Sequence, residues 1–517
     1  MGRNTKTMIN VICSLLVLAT NVLVSFFLSP YIVKNIGVEA NGFVTLANNF
    51  VTYAQLIVAA LNSMAARFIA IAYVKKQYKK ANLYYNSVFW GNLIIVGVLI
   101  IPAIVCIFKL ENIINIPNDI VLDVKILFTF VFFNFFITTG LPNWDCGTFV
   151  TNRLDRSYIP QAISSILKCI VLFIAFSLFV PKVSYVGLAV TVMTVFKLTC
   201  NAINTHKLTP ELKVMVKPSK WICSGKVIKK LVGAGIWNSI SSVGNMLLSG
   251  LDLIVCNVFI GATQMGVISL SKILANYMQQ LSAAIRDAFT PEMTINYAIN
   301  NKNELQKGIL RAMKLTSIIM TIPIAIIVVL GKDFFSLWVP TQDASLLQVL
   351  SILSILGYMF TSGTQILYNV FPTVNKVKQN SIAMIITGII SVSLTILLIK
   401  TTNYGIYAVA GVSTFCNLAR NMTFTIIAAS KYMGFKCRIF YKQVFETILC
   451  SVVLIIVGYL LTFKIVINSW ITFILSAMII GVVGLVINVF IILNKEERKY
   501  LINKVKNKIG VKSKWLK

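Results

Sequence analysis

The sequence predicts an all-α polytopic membrane protein of 14 transmembrane helices: two six-helix lobes related by a pseudo-twofold, plus two C-terminal helices. Three observations predict it: an apolar composition, an alternating distribution of basic residues and an internal repeat. Of 517 residues, 57% are hydrophobic and 12% charged, and the mean hydropathy is +0.82. Soluble domains carry roughly 25% charged residues, so a string of soluble domains is excluded. Lys and Arg number 47 against 16 Asp and Glu, a formal charge of +31. In a soluble chain that surplus would point to nucleic acid. In a membrane chain it points to cytoplasmic loops that collect Lys and Arg.

The loops decide between the two. A helix rises 1.5 Å per residue and needs about 20 apolar residues to cross a bilayer core. Apolar runs bounded by polar breaks occupy 8–30, 42–73, 86–108, 121–144, 158–180, 184–205 and 231–259. Seven more occupy 264–292, 309–330, 344–371, 380–399, 405–429, 443–463 and 469–493. Segments on one side of these runs hold 34 Lys and Arg, including Lys75, Lys76, Lys79 and Lys80, seven lysines in 207–230 and nine basic residues in 495–517. Alternate segments hold seven: Lys34, Lys109, Lys125, Lys182, Lys332, Lys400 and Lys464. The asymmetry holds at every loop, so both termini are expected in the cytoplasm, and no nucleic-acid partner is expected. Residues 8–28 follow Arg3 and Lys6 as a signal peptide would. No small-x-small cleavage site follows them, and the repeat requires them, so they are expected to be a true span.

The repeat appears at an offset of 224, where Asn21 meets Asn245, Ile36-Gly37 meets Ile260-Gly261, and Gly42 meets Gly266. Further along, Tyr53 meets Tyr277, Gln55 meets Gln279, and Tyr73 meets Tyr297. The expected organisation is an N-terminal lobe (1–205), a basic cytoplasmic linker (206–230) and a C-terminal lobe (231–430). Two extra spans (431–494) and a basic tail (495–517) complete it. An even number of helices per lobe makes both lobes enter the membrane in the same direction, as in transporters that rock two halves about a central site.

Polar residues within the spans fall in stripes. The eighth span places Lys272, Asn276, Gln279, Ala283, Arg286 and Thr290 at alternating steps of four and three, which is one face of a helix. The second span offers Asn48, Thr52, Gln55 and Asn62 with Arg67 beside them. The seventh offers Asn238, Ser242, Asn245, Ser249 and Asp252; the first keeps Asn21. Such faces turn to protein or water, not to lipid. Six basic residues lie within spans (Arg67, Lys168, Lys197, Lys272, Arg286 and Arg420), with fewer acids to match them, chiefly Asp252 and Asp287. A cationic cavity for an anionic substrate follows, with Arg67, Lys168, Lys272, Arg286 and Arg420 as candidate ligands. Asn21, Asn48, Gln55, Asn245, Asp252, Asn276 and Gln279 are its expected polar lining. Asp252 is expected to pair with a cation such as Lys272. The ten cysteines form no CxxC or other metal pattern, the single His206 is expected in a basic loop, and no nucleotide-binding or hydrolase motif occurs. Neither metal, cofactor nor enzymatic activity is expected.

The run Asn62-Ser63-Met64-Ala65-Ala66-Arg67-Phe68-Ile69, followed by Gln77-Tyr78-Lys79-Lys80-Ala81-Asn82, resembles the second-helix signature of bacterial polysaccharide flippases. Trp237-Asn238 through Leu251-Asp252-Leu253, and Ala288-Phe289-Thr290-Pro291-Glu292-Met293, resemble the opening of that family's second lobe. These are lipid-linked oligosaccharide flippases of the multidrug/oligosaccharidyl-lipid/polysaccharide exporter superfamily. The resemblance implies a fourteen-helix, two-lobe exporter in the bacterial cytoplasmic membrane. It would move an undecaprenyl-pyrophosphate-linked sugar repeat unit to the outer leaflet by alternating access, for O-antigen, capsule or exopolysaccharide assembly. It implies a polysaccharide polymerase as a pathway partner, and basic cavity residues that meet the pyrophosphate. Arg67 occupies the family's recurrent arginine position. Lys272 and Arg286 match no signature position and rest on the stripe.

Two alternatives stand beside it. A cation-coupled multidrug efflux pump of the same superfamily needs carboxylates inside the membrane. Glu39, Glu111, Asp119, Asp123, Asp145 and Asp155 instead lie at or beyond span ends in the first lobe. A membrane enzyme of polysaccharide assembly would carry its chemistry on a large outer loop, and every outer loop here is short.

Overall fold

The computed structural model describes residues 3–151, 153–215 and 224–499. Among these residues the structure is helical throughout, without strands. The first half runs α1 (Arg3–Asn62), α2 (Ala65–Val74), α3 (Tyr78–Phe108), the one-turn α4 (Leu110–Ile113), α5 (Val121–Gly140) and the short α6 (Asp145–Val150). It continues with α7 (Asp155–Leu178), α8 (Ser184–Leu208), α9 (Gly225–Asn245) and α10 (Asp252–Phe259). Then follow α11 (Ala262–Ala298), α12 (Lys302–Trp338), α13 (Ala344–Thr361), the one-turn α14 (Val370–Thr373) and α15 (Val377–Thr401). The chain closes with α16 (Gly405–Arg420), α17 (Ile426–Met433), α18 (Cys437–Thr462) and α19 (Trp470–Ile492).

These helices form two compact units. One comprises Met1–Leu270 with the middle of α15, Met384–Val392; the other comprises Ser271–Ala383 and Ser393–Lys517. In the first, Leu61, Ile69, Tyr84, Tyr85 and Leu231 build a core between α1, α2, α3 and α9. Residues Met384–Val392 join this unit through a crossing of small residues: a Cβ on Gly388 would lie 2.6 Å from Leu247 Cβ and 2.9 Å from Gly244 O. In the second unit, Ile309, Met313, Leu367, Ile426 and Phe440 pack α12, the 3-10 segment Gly363–Asn369, α17 and α18 together.

The outer faces are apolar. On α3 the stripe Ile94, Val98, Ile101, Val105 and Phe108 is 51–73% exposed at helical spacing, and α19 shows Ile471, Met478, Val482 and Val486 in the same way. Such continuous apolar exposure fits hydrocarbon, not water. This is an integral membrane protein.

All fourteen predicted runs fall wholly or mostly on helices, but the helices do not divide as the runs do. Among the described residues ten helices are long and apolar enough to cross a membrane, or eleven when Gly235–Gly250 and Asp252–Phe259, bent by 41°, count as one. The difference has physical reasons. The first two runs merge into the single element α1, broken only at Gly37, whose φ of 90° is left-handed. The polar stripe keeps α11 out of the apolar set, and a π turn at Asn421–Thr425 divides the twelfth run. His206 sits in the last turn of α8 and not in a loop. Residues 216–223 of the linker and 500–517 of the tail lie outside the described residues.

Candidate functional site

The interruptions of the helices coincide with the polar residues. α1 ends at Asn62, two residues before α2 carries Arg67. The π turn Met246–Gly250 follows Asn245 and precedes Asp252. The 3-10 segment Gly363–Asn369 carries Gln365, Tyr368 and Asn369, and the second π turn follows Arg420 directly. Broken backbone inside a membrane is tolerated where side chains or water satisfy the freed groups.

In the second unit these residues converge on Tyr368. Arg420 Nη2 donates to Tyr368 Oη at 2.7 Å and to Asn417 Oδ1 at 2.9 Å. The Tyr368 hydroxyl donates in turn to Asn421 Oδ1 at 2.7 Å, which also accepts from Thr425 Oγ1 at 3.1 Å. The Arg420 guanidinium carbon lies 5.2 Å from the Tyr368 ring centroid, and that of Arg286 lies 6.0 Å from the same centroid. α11 is tied to the 3-10 segment by Asn369 Nδ2, which donates to Arg286 O and Thr290 Oγ1, both at 2.8 Å. Ser282 donates to Gln365 one turn earlier, at 3.0 Å. Arg420 is 6% exposed. Its Nε and Nη1 have no hydrogen-bond partner, and no carboxylate pairs with it among the described residues. Arg286 meets Asp287 at 3.5 Å.

In the first unit, Ser165 of α7 donates to Asn21 Oδ1 of α1 at 2.7 Å, and Lys168 stands half-buried one turn further along α7. Asn48 and Gln55 of α1 are exposed, as are Ser242, Asn245 and Ser249 of α9; Tyr53 Oη donates to Gly250 O at 2.5 Å, so the two polar faces adjoin. Arg67 is exposed on α2, where Lys230 of α9 lies 5.3 Å from the neighbouring Phe68 ring. Asp252 is buried at the start of α10. In the second unit Asn276 and Gln279 are exposed along α11, and Lys272 is half-buried. The structure thus brings Arg286 and Arg420 to one ring, and shows Arg67 and Lys168 as separate features of the first unit.

Tyr368, Asn417 and Asn421 were not legible as site residues. Tyr368 falls between Gln365 and Asn369 on a segment whose 3-10 winding shifts the register that a helical stripe assumes. Acids expected beyond the span ends do structural work. Asp123 accepts from the backbone N–H of Val183 and Ser184 at the start of α8. Glu111 pairs with Lys125 at 2.5 Å, and Asp145 accepts from Ser157 and Asn201.

No family model matches the chain. It is 24% identical over 506 residues to the uncharacterized membrane protein EpsK of Bacillus subtilis (strain 168), covering 98% of this chain and 99% of EpsK. Its fold matches the lipid II flippase MurJ in an inward closed conformation at a TM-score of 0.65 and 15% identity, over 94% of this chain and 97% of that one. It also matches an inward-facing multidrug resistance MATE family transporter of the MOP superfamily at 0.62 and 14% identity, over 80% of this chain and 95% of that one. The chain therefore shares its fold with these two transporters, a flippase and a multidrug resistance protein. Its fold relatives are transporters, not enzymes.

Proposed function

We propose that the chain is a flippase for an undecaprenyl-pyrophosphate-linked oligosaccharide. It would act in the bacterial cytoplasmic membrane with both termini inside, and supply O-antigen, capsule or exopolysaccharide assembly beside a polysaccharide polymerase. The observation that carries this reading is Arg420, a buried cation that has no carboxylate partner among the described residues and shares one tyrosine ring with Arg286. An embedded charge costs several kcal/mol unless it is paired or faces a polar path, and an anionic substrate supplies the missing pair. Arg67 and Lys168 are proposed as further substrate contacts of the first unit, beside the polar groups of Asn21, Asn48, Gln55, Asn245 and Asp252, and Lys272 as one of the second, beside Asn276 and Gln279. The fold shared with a lipid II flippase supports the same reading.

Drug efflux is the second reading, favoured by the fold shared with a multidrug resistance transporter. Against it, in the N-terminal stretch 1–205 Asp123 and Asp145 lie at helix ends and are engaged with backbone and side-chain donors. Reconstitution in vesicles separates the two. The purified chain is expected to expose a lipid-linked oligosaccharide to an external lectin and to leave a cationic dye in place; dye transport without glycolipid transport would overturn the proposal. Arg67→Ala is expected to abolish glycan export at unchanged membrane abundance, with Arg67→Lys partly active. Normal export by the alanine variant would remove Arg67 from the path.

A further inference from the structure

A cavity of about 500 Å³ in the first unit is lined by none of the candidate cations. It lies between α1 just past its kink at Gly37, the segment joining α4 to α5, and the start of α11. Its walls carry Glu39, Glu111, Asn115, Asn118 and Thr263, with Pro117 beside them. The volume falls within the roughly 300–1,000 Å³ of small-molecule sites. The wall is braced: Asn115 N and Nδ2 donate to Oδ1 and O of Asn257 at 2.7 and 2.8 Å, and Asn257 Nδ2 donates back to Asn115 O at 3.0 Å. Thr263 donates to Glu39 Oε1, and Lys125 meets Glu111 Oε2, both at 2.5 Å. Glu39 Oε2, Glu111 Oε1, Asn115 Oδ1 and the Asn118 amide keep no protein partner among the described residues. The fold alone does not create this opening. At the repeat offset, Glu111 and Asn115 correspond to Phe335 and Val339, which are 0% and 2% exposed, and Phe335 packs on Trp338 with ring centroids 6.1 Å apart. The second unit fills with apolar side chains the corner that the first unit lines with oxygen.

We infer that this cavity is a saccharide subsite that takes neutral or amino sugars and rejects uronic acids. A bound anion would meet two carboxylates with Lys125 alone to offset them. A metal ion needs several converging ligands, and no group of three His, Cys, Asp or Glu side chains that could hold one occurs among the described residues. Lys125 beside Glu111 adds repulsion to any cation there. A sugar ring presents hydroxyls that each donate and accept. The free carboxylate oxygens take hydroxyl hydrogens in charge-assisted bonds, and the Asn118 amide and Lys125 return donors. The bracing by Asn257 holds Asn115 in place before a ligand arrives, which lowers the cost of ordering on binding. Assigning the sugar to the transported glycan, and the cavity to the outer side of the membrane, rests on the proposed function; the recognition chemistry does not.

Saturation-transfer NMR on the purified full-length chain tests the subsite, with N-acetylglucosamine, glucosamine and glucuronate as probes. The first two are expected to bind in the millimolar range, and glucuronate about tenfold more weakly or less. Glu39→Gln keeps an acceptor for Thr263, so it is expected to hold the thermal midpoint while removing most of the discrimination against glucuronate. Asn118→Trp, at an exposed side chain, is expected to fill the cavity and abolish binding at an unchanged midpoint. Asp119→Asn, outside the lining, is expected to bind as wild type does. Equal affinity for all three sugars, or wild-type affinity in Asn118→Trp, would overturn the subsite. Calcium binding that Glu39→Gln removes, with no saccharide bound by the wild type, would give the cavity to a cation and overturn the proposal. Saccharide binding by a chain that moves no glycolipid keeps the subsite and ends the flippase reading. Glycolipid movement without saccharide binding ends the subsite and keeps the flippase reading.

Discussion

At the scale of single residues, Asn82 and Asn86 act as a clamp. Asn82 Nδ2 donates to Glu211 O at 2.7 Å and its Oδ1 accepts from Lys213 N at 2.9 Å. Asn86, one turn on along α3, donates to Lys213 O at 2.9 Å and accepts from Met215 N at 2.8 Å, and Trp90 donates to Met215 O at 3.2 Å. Two amides at helical spacing thus satisfy backbone groups of segment 211–215, which belongs to no helix. The Tyr73 hydroxyl donates to Glu211 and holds that carboxyl below its ordinary range. A depressed carboxyl contributes stability above its unfolded pKa, which is lost as pH falls through the folded value. Proteolysis at 211–215 is therefore expected to quicken as pH drops below the usual glutamate range, and Tyr73→Phe to remove that pH dependence. Asn86→Ala, which orphans two backbone groups, is expected to raise cleavage about fivefold or more. Unchanged cleavage kinetics in both variants would contradict the clamp. Asn82 was legible as part of a family-like signature, but its role was not, because the partner lies more than 120 residues away.

At the scale of elements, the repeat was legible as aligned letters and the structure gives those letters a geometry. Gly37 and Gly261 occupy equivalent positions, and both have positive φ, 90° and 144°. Each lets its chain turn between two helices where a Cβ would be strained. Gly42 and Gly266, also equivalent, meet each other: a Cβ on Gly42 would lie 2.9 Å from Gly266 Cα. Thr263 donates to Glu39, its own counterpart at the same offset, at 2.5 Å. A Cβ at Gly266 would fall 2.4 Å from Val38 O, a backbone atom that cannot step aside. Gly266→Ala is thus expected to cost about 1–3 kcal/mol, read as a lower thermal midpoint of the purified chain. Gly97→Ala, where a Cβ would meet nothing within 4 Å, is expected to leave it unchanged. Equal midpoints would show that the crossing is loose. Hydrophobic runs found the helices because burial in lipid depends on composition. They missed the π and 3-10 segments because these arise from tertiary demands on the backbone, not from local preference.

At the scale of the whole molecule, the expected topology divides the 47 Lys and Arg into 34 on the cytoplasmic side, seven on the other and six inside spans. The few central positions bear on what drives transport. A pyrophosphate diester carries about two negative charges, and Arg286 with Arg420 would roughly neutralise it in the loaded carrier. Under the proposed function the empty carrier would return with two positive charges, so one full cycle would still move two negative charges outward whichever step carries them. Moving one charge through 100 mV is worth about 2.3 kcal/mol, so an inside-negative potential favours export by about 5 kcal/mol per 100 mV for two charges. In vesicles holding the chain in a single orientation, an imposed potassium diffusion potential, negative on the cytoplasmic side, is expected to shift the lipid-linked sugar toward the opposite leaflet. Reversing its sign is expected to reverse the shift, and a sodium or proton gradient at zero potential to leave the distribution near even. If distribution followed the ion gradient and ignored the potential, a co-transported cation would be balancing the anion. Asp287, the acid beside Arg286, would then be the first residue to examine by charge-neutralising substitution.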